Sequence, residues 1–227
     1  CGRPAVLPGV VGRQRKMGIR ARHTRLLYLQ EEAGVDAVLA RLETFYAAVG
    51  STKLGDDLLS REAALRLEAG DRSGARRALE RIVSEHPYPQ GHRWDDAIVR
   101  LAEMDVGDGQ PRAAIERLQR MLERSEGTMI PGSYTLPSFA GAQLQIARIH
   151  RDMLDDREAA DDAFEAVYDD FPNSLLRDDA ITEMGEMWLA AGETRRACRA
   201  FERVAEEFEV GAARRRAQSQ HAEHCAD

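Results

Sequence analysis

The segment from Asp178 to Phe208 constrains the fold more than any other stretch, because it holds one complete helical hairpin that the rest of the chain echoes. It reads as an apolar-periodic run, a Gly at 192, and a second apolar-periodic run. A shift of 83 residues lays Asp95 to Met104, DDAIVRLAEM, under DDAITEMGEM, so that Asp, Asp, Ala, Ile, Glu and Met coincide. The same shift, with no gap, puts Gly109 under Gly192, Ala114 under Ala197, Leu118 under Phe201 and Met121 under Val204. An echo held in constant register over both helices predicts a repeat protein.

Four such hairpins can be traced. In the first, Leu58, Leu59, Ala63 and Leu67 lead to Gly70, then Ala75, Leu79, Ile82 and Pro87. In the second, Trp94, Ile98, Leu101 and Ala102 lead to Gly109, then Ala114, Leu118 and Met121. In the third, Leu144, Ile146, Ala147 and Ile149 lead to Asp155, then Ala160, Phe164, Val167 and Pro172. In the fourth, Ile181, Met184, Gly185 and Trp188 lead to Gly192, then Ala197, Phe201 and Val204. The turns are spaced by 39, 46 and 37 residues, so the connections vary while the hairpins persist. A small residue five positions after the turn lets the two helices cross closely, and the larger apolar residues that follow fill the groove between neighbouring hairpins. Gly at the turn ends the first helix in a left-handed conformation, and Pro stops the second. One hairpin cannot bury its own apolar face, whereas stacked hairpins can. The expected fold is therefore all-α, an α-solenoid of antiparallel helical hairpins.

The pattern Met184-Gly185, Trp188, Gly192, Ala197, Phe201 and Val204 resembles the tetratricopeptide repeat, as do the second helices ending at Pro87 and Pro172. The resemblance implies a right-handed superhelix and covers roughly residues 55 to 210. Glu126 and Glu209 depart from it where the terminal Pro would stand, and the third repeat needs one extra residue before its turn. The two helical segments at 20–54 fit the register poorly and are expected to cap the array, with residues 211–227 forming a C-terminal capping helix and tail. Within the family, Phe171-Pro172-Asn173-Ser174 with Asp178-Asp179-Ala180 is similar to outer-membrane lipoproteins of the BamD and YbgF (CpoB) types.

Charge and the first residues bear on location. The chain carries net charge −7, yet residues 1–30 hold seven basic residues and no acid, so the remainder is strongly acidic. An acidic body points away from nucleic acid as a partner. A short basic leader, residues 3–25, fits a membrane surface or an acidic partner. Cys1 followed by Gly2 resembles the processed start of a bacterial lipoprotein, with Cys1 as the lipidation site and residues 1–19 as a tether. That resemblance implies the periplasmic face of the outer membrane. A chain boundary at Cys1 with no anchor is the plain alternative.

Residues able to carry chemistry are sparse. His221 with His224 or Cys225 has metal-ligand spacing on a helix, but there is no fourth ligand, the segment is terminal, and a frayed polar tail is the plainer explanation. Cys198 and Cys225 form an even pair once Cys1 is lipidated; either Cys198 is a half-buried free thiol, or the last helix folds back over the fourth hairpin and the two bond. The acid pairs Asp155/Asp156, Asp161/Asp162 and Asp169/Asp170 read as a solvated face. There is no phosphate loop, nucleophile elbow or zinc-helix motif, so the expectation is a protein without catalytic, cofactor or metal residues.

The family resemblance places the concave face on the first helix of each repeat. By register that face carries Asp96, Val99 and Glu103, then Arg148 and Arg151, then Asp179, Thr182, Glu186 and Leu189; these positions equally describe a solvated helix side. The loop 125–138 is uncharged after Glu126 and offers Met129, Ile130, Tyr134 and Leu136, apolar residues that mark a contact with a partner or with the protein's own groove. The expected function is a non-catalytic scaffold binding protein partners in a cell-envelope complex. The alternatives are a soluble adaptor for an extended peptide and an enzyme-associated module with metal at its C-terminus.

Overall fold

The computed structural model describes residues 34–124 and 138–225, and among these every regular element is a helix. In chain order they are α1 (34–49), α2 (Gly55–Glu68), α3 (Arg72–Glu85), α4 (Trp94–Gly107), α5 (Pro111–Leu122), α6 (Phe139–Met153), α7 (Arg157–Asp170), α8 (Arg177–Ala190), α9 (Thr194–Glu207) and α10 (Ala212–His224). The fold is an α-solenoid type built from the hairpins α2–α3, α4–α5, α6–α7 and α8–α9. No helix among the described residues is long and apolar enough to cross a membrane.

Three of the four turns share one hydrogen-bonding device. Gly70, Gly109 and Gly192 take φ of +78°, +72° and +79°, and the residue after each sends its N–H five residues back: Asp71 to Arg66, Gln110 to Asp105 and Glu193 to Trp188. This closes the carbonyls that a helix end leaves open. The third hairpin differs as its sequence predicts. Its left-handed residue is Asp155, at φ +49°, and Asp156 reaches back six residues, to His150, because α6 has 15 residues where α2, α4 and α8 have 14. The second helices then start on capping groups: Asp71 accepts from the Gly74 N–H, Asp156 accepts from the Ala159 N–H, and Pro111 opens α5.

The chain divides into two compact units, one running to His86 and one from Pro87. In the first, Val38 and Leu42 of α1 pack on Leu65 of α2. That packing corrects one reading of the sequence: Leu65 is fully buried while Leu67 is 39% exposed, because α1 covers a side of α2 that the repeat pattern leaves open. The Tyr46 hydroxyl donates to Glu85 Oε2 at 2.6 Å beneath the Arg81 guanidinium, and burial together with the Glu85 charge pushes it up to about 12.

In the second unit the hairpins stack in order, α5 on α6 and α7 on α8, and α10 closes the stack against α9 and α8. The small residues after the turns, Ala114, Ala160 and Ala197, are fully buried, as are Leu118, Phe164 and Phe201. Gly185 shows how close the crossing is: a Cβ there would stand 2.5 Å from Phe201 Cε1. Full burial of an aromatic ring against bare backbone makes α8 and α9 a rigid pair.

Candidate protein-binding surface

The first helices α4, α6 and α8 bring most of the nominated residues onto related positions, but the surface they form is not uniform. At the α4–α6 step it is open. Glu103, Val106, Gln145, Arg148, Ile149, Asp152 and Met153 line a groove of about 260 Å³. Ile149 is buried in its floor, Met153 stands 47% exposed at its lip, and Glu103 projects into solvent. Val99 is half-buried on α4, and Asp96 is exposed and bonds Arg93, the residue just before its helix, at 3.4 Å.

At the α6–α8 step the same face is closed by charge. Arg148 Nε and Arg151 Nη1 donate to Glu183 Oε2 at 3.0 and 2.9 Å, and Arg151 also grips Asp152 through Nε and Nη2. Burial pushes the Glu183 carboxyl up, but Arg148 and Arg151 outweigh it and hold the group below the usual carboxylate range. The Asp152 bond and, against burial, Glu183 raise Arg151 well above the ordinary guanidinium value. Sequence reasoning missed Glu183, although a signal existed: Asp179, Glu183 and Glu186 form an acidic stripe on α8 opposite Arg148 and Arg151.

At the α8–α10 step the nominated residues are covered. Thr182 is fully buried, and its hydroxyl donates to the Asp178 carbonyl at 2.7 Å; it is not an open contact position, because α10 packs over α8. Glu186 accepts from Arg216 Nε at 2.8 Å, and Asp179 lies 3.8 Å from the same guanidinium. Asp179 is raised by burial and by its neighbour Asp178. Leu189 is half-buried. Met129, Ile130, Tyr134 and Leu136, with Cys1 and the basic residues 3–25, lie outside the described residues.

The second helices α7 and α9 meet along their own ladder. Arg196 binds Glu158 and Asp161 at 2.7 and 2.9 Å while lying over the Trp188 ring, and Arg203 binds Glu165 at 2.8 Å over Tyr168. Trp188 Nε1 donates to Asp161, so this carboxylate is a packing partner and not part of a solvated acid pair. A cavity of about 290 Å³ lies between these helices and α8. At the C-terminus Cys198 and Cys225 form a disulfide with Cα atoms 5.7 Å apart, which fastens α10 to α9. The fold-back alternative is the one realised, and the bond removes the thiolate that His221 and His224 would need as a co-ligand.

Stacked hairpins with an open first-helix groove define a helical-repeat interaction scaffold. The family described as Tetratricopeptide repeat matches residues 57–87 and 142–174, the hairpins α2–α3 and α6–α7, and the chain carries repeats of this kind. These are the two hairpins whose second helix runs to a Pro, at 87 and 172. Among solved structures, the chain is similar to a Podosopora anserina chain of nearly identical TPR-like repeats, at 18% identity and TM-score 0.56, over 92% of this chain and 97% of that one. It is also similar to a tetratricopeptide repeat protein from Parabacteroides merdae, at 11% identity and TM-score 0.55, over 88% and 70%. A third likeness is to residues 41 to the end of MamA from Desulfovibrio magneticus RS-1, at 14% identity and TM-score 0.51, over 82% and 93%. At these identities the likeness is one of fold. No curated protein matches in sequence.

Proposed function

We propose that the protein is a non-catalytic scaffold whose α4–α6 groove takes an extended segment of a partner protein, in a cell-envelope complex to which Cys1 lipidation and the basic leader tether it. The observation that carries the binding reading is the difference between successive steps of one face. The α6–α8 step is closed by its own ion pairs, whereas at α4–α6 the half-exposed Met153 stands over the buried Ile149 floor, between Glu103 and Arg148. Apolar surface flanked by opposite charges suits a segment with one apolar side chain between polar neighbours. A photo-crosslinker at position 153 tests this in cells: it is expected to capture a partner that the same group on exposed Glu202 of α9 does not. Equal capture at both positions refutes the groove.

The envelope reading draws support from the basic stretch at residues 3–25 and from the Cys198–Cys225 disulfide, which belongs in an oxidising compartment. A soluble adaptor with no membrane role uses the same groove. Intact mass of the native chain with membrane fractionation separates the two: acyl mass on Cys1 and recovery with the outer membrane are expected, and an unmodified soluble chain leaves the adaptor.

A further inference from the structure

The last helix is held in place in an unusual way. α9 buries Ala197, Ala200, Phe201 and Val204, but α10, nearly as long, buries only Ala213 and Ala217. Its polar contacts add little. Arg216 is 44% exposed on its side of both ion pairs, and the Thr182 hydroxyl is 2.7 Å from its own helix's Asp178 carbonyl but 3.5 Å from the Ala213 carbonyl of α10. Arg214 Nε is buried without a hydrogen-bond partner among the described residues, which counts against docking. The connector offers no grip either: Val210 is 83% exposed, and Gly211, at φ +141°, turns the chain into α10. Beyond the packing of Ala213 and Ala217 against α9 and α8, what remains is the covalent link between Cys198 and Cys225, 27 residues apart.

We propose that α10 is a detachable occupant of a helix-docking face on α8, held there by the disulfide more than by packing, and that reduction opens this face to a partner helix of the same build. The face is Thr182 flanked by the carboxylates of Asp179 and Glu186, at positions that share one side of α8. α10 shows what fits it: two small residues four apart, Ala213 and Ala217, which allow close approach, and Arg216 between them to meet both acids. A partner helix with that spacing and one arginine is complementary in shape and charge. Opening requires a dithiol. One of its thiolates attacks the disulfide, forming a mixed disulfide on one cysteine and freeing the other; its second thiol then displaces that cysteine. Cys198 and Cys225 together gain two electrons and two protons, and the dithiol becomes a disulfide.

The test compares the full oxidised chain, the same chain treated with a dithiol, and the full chain carrying Cys198→Ser and Cys225→Ser. Closing a loop of this length constrains the released state on the order of 100-fold. Amide exchange in α10 is therefore expected to speed by that order in both bond-free forms, while α8 and α9 keep their protection. A labelled peptide of residues 211–224 is the docking probe, expected to bind the bond-free forms at least tenfold more tightly than the oxidised chain. Unchanged exchange in α10 after dithiol treatment overturns the disulfide as the holding element. Faster exchange with no peptide binding overturns α8 as a docking face.

Discussion

Arg148 on α6 reaches across to Glu183 on α8 with Nε 3.0 Å from Oε2, and this pair divides the first-helix face into a closed step and an open one. The two residues come from different hairpins, so the bond joins repeats and not the helices of one repeat.

Glu183→Gln is expected to cost about 1 kcal/mol of stability at pH 7, the modest figure that suits a pair whose arginines remain partly in water. The sign of its pH dependence follows from its depressed folded value. Its contribution is complete above the unfolded carboxyl value of about 4.3 and fades as pH falls through the lower folded value. Denaturation curves at pH 7 and pH 3 check this: the gap between natural chain and variant should narrow in acid, and a constant gap contradicts the assignment.

Asp179 behaves oppositely. Burial and Asp178 raise its carboxyl, so the stability it contributes is present below the unfolded value and lost as pH rises through the folded one. Near neutrality its charge is a small cost. Asp179→Asn is expected to leave stability at pH 7 unchanged or higher by roughly 0.3 kcal/mol, despite the loss of a carboxylate 3.8 Å from Arg216. Urea midpoints at pH 7 decide it; a clear fall would show that the Arg216 contact dominates.

Two glycines are expected to fail for different reasons. Gly185→Ala drives a Cβ into the fully buried Phe201 ring, and overpacking of this kind costs about 1–3 kcal/mol. At Gly192 nothing lies within 4 Å of a built Cβ, but φ is +79°. Gly192→Ala should therefore cost about 1 kcal/mol, with Gly192→Asn milder because Asn tolerates the left-handed region. Melting curves of the three variants should rank in that order.

Met153→Glu places a carboxylate at the lip of the α4–α6 groove, at a side chain already 47% exposed. Helicity and melting temperature are expected to stay within error, while partner capture from a crosslinker at the neighbouring Gln145 falls at least tenfold. Retained capture would place the partner elsewhere.

The hairpins were legible because each feature that defines them is local. Glycine at the turn, alanine five residues later and a bulky residue four beyond that are chain-neighbour constraints, and even the extra residue before Asp155 appears in the spacing. What escaped was whatever depends on an element outside the repeat. Leu65 is buried by α1 and Thr182 by α10, two helices whose placement no repeat register encodes. Glu183 was missed because its importance comes from arginines 32 and 35 residues away in the chain. The Cys198–Cys225 pairing stayed open for the same reason: it follows from where α10 docks.

The fifteenth residue of α6 has one more consequence. A single added residue turns the helix by about 100° and lengthens it by about 1.5 Å, so the last turn of α6 falls out of the register that the 14-residue helices α4 and α8 share. Met153, the lip of the groove, lies in that last turn. A repeat array can thus acquire a distinctive contact point through a one-residue change in length, with no substitution in its packing layer.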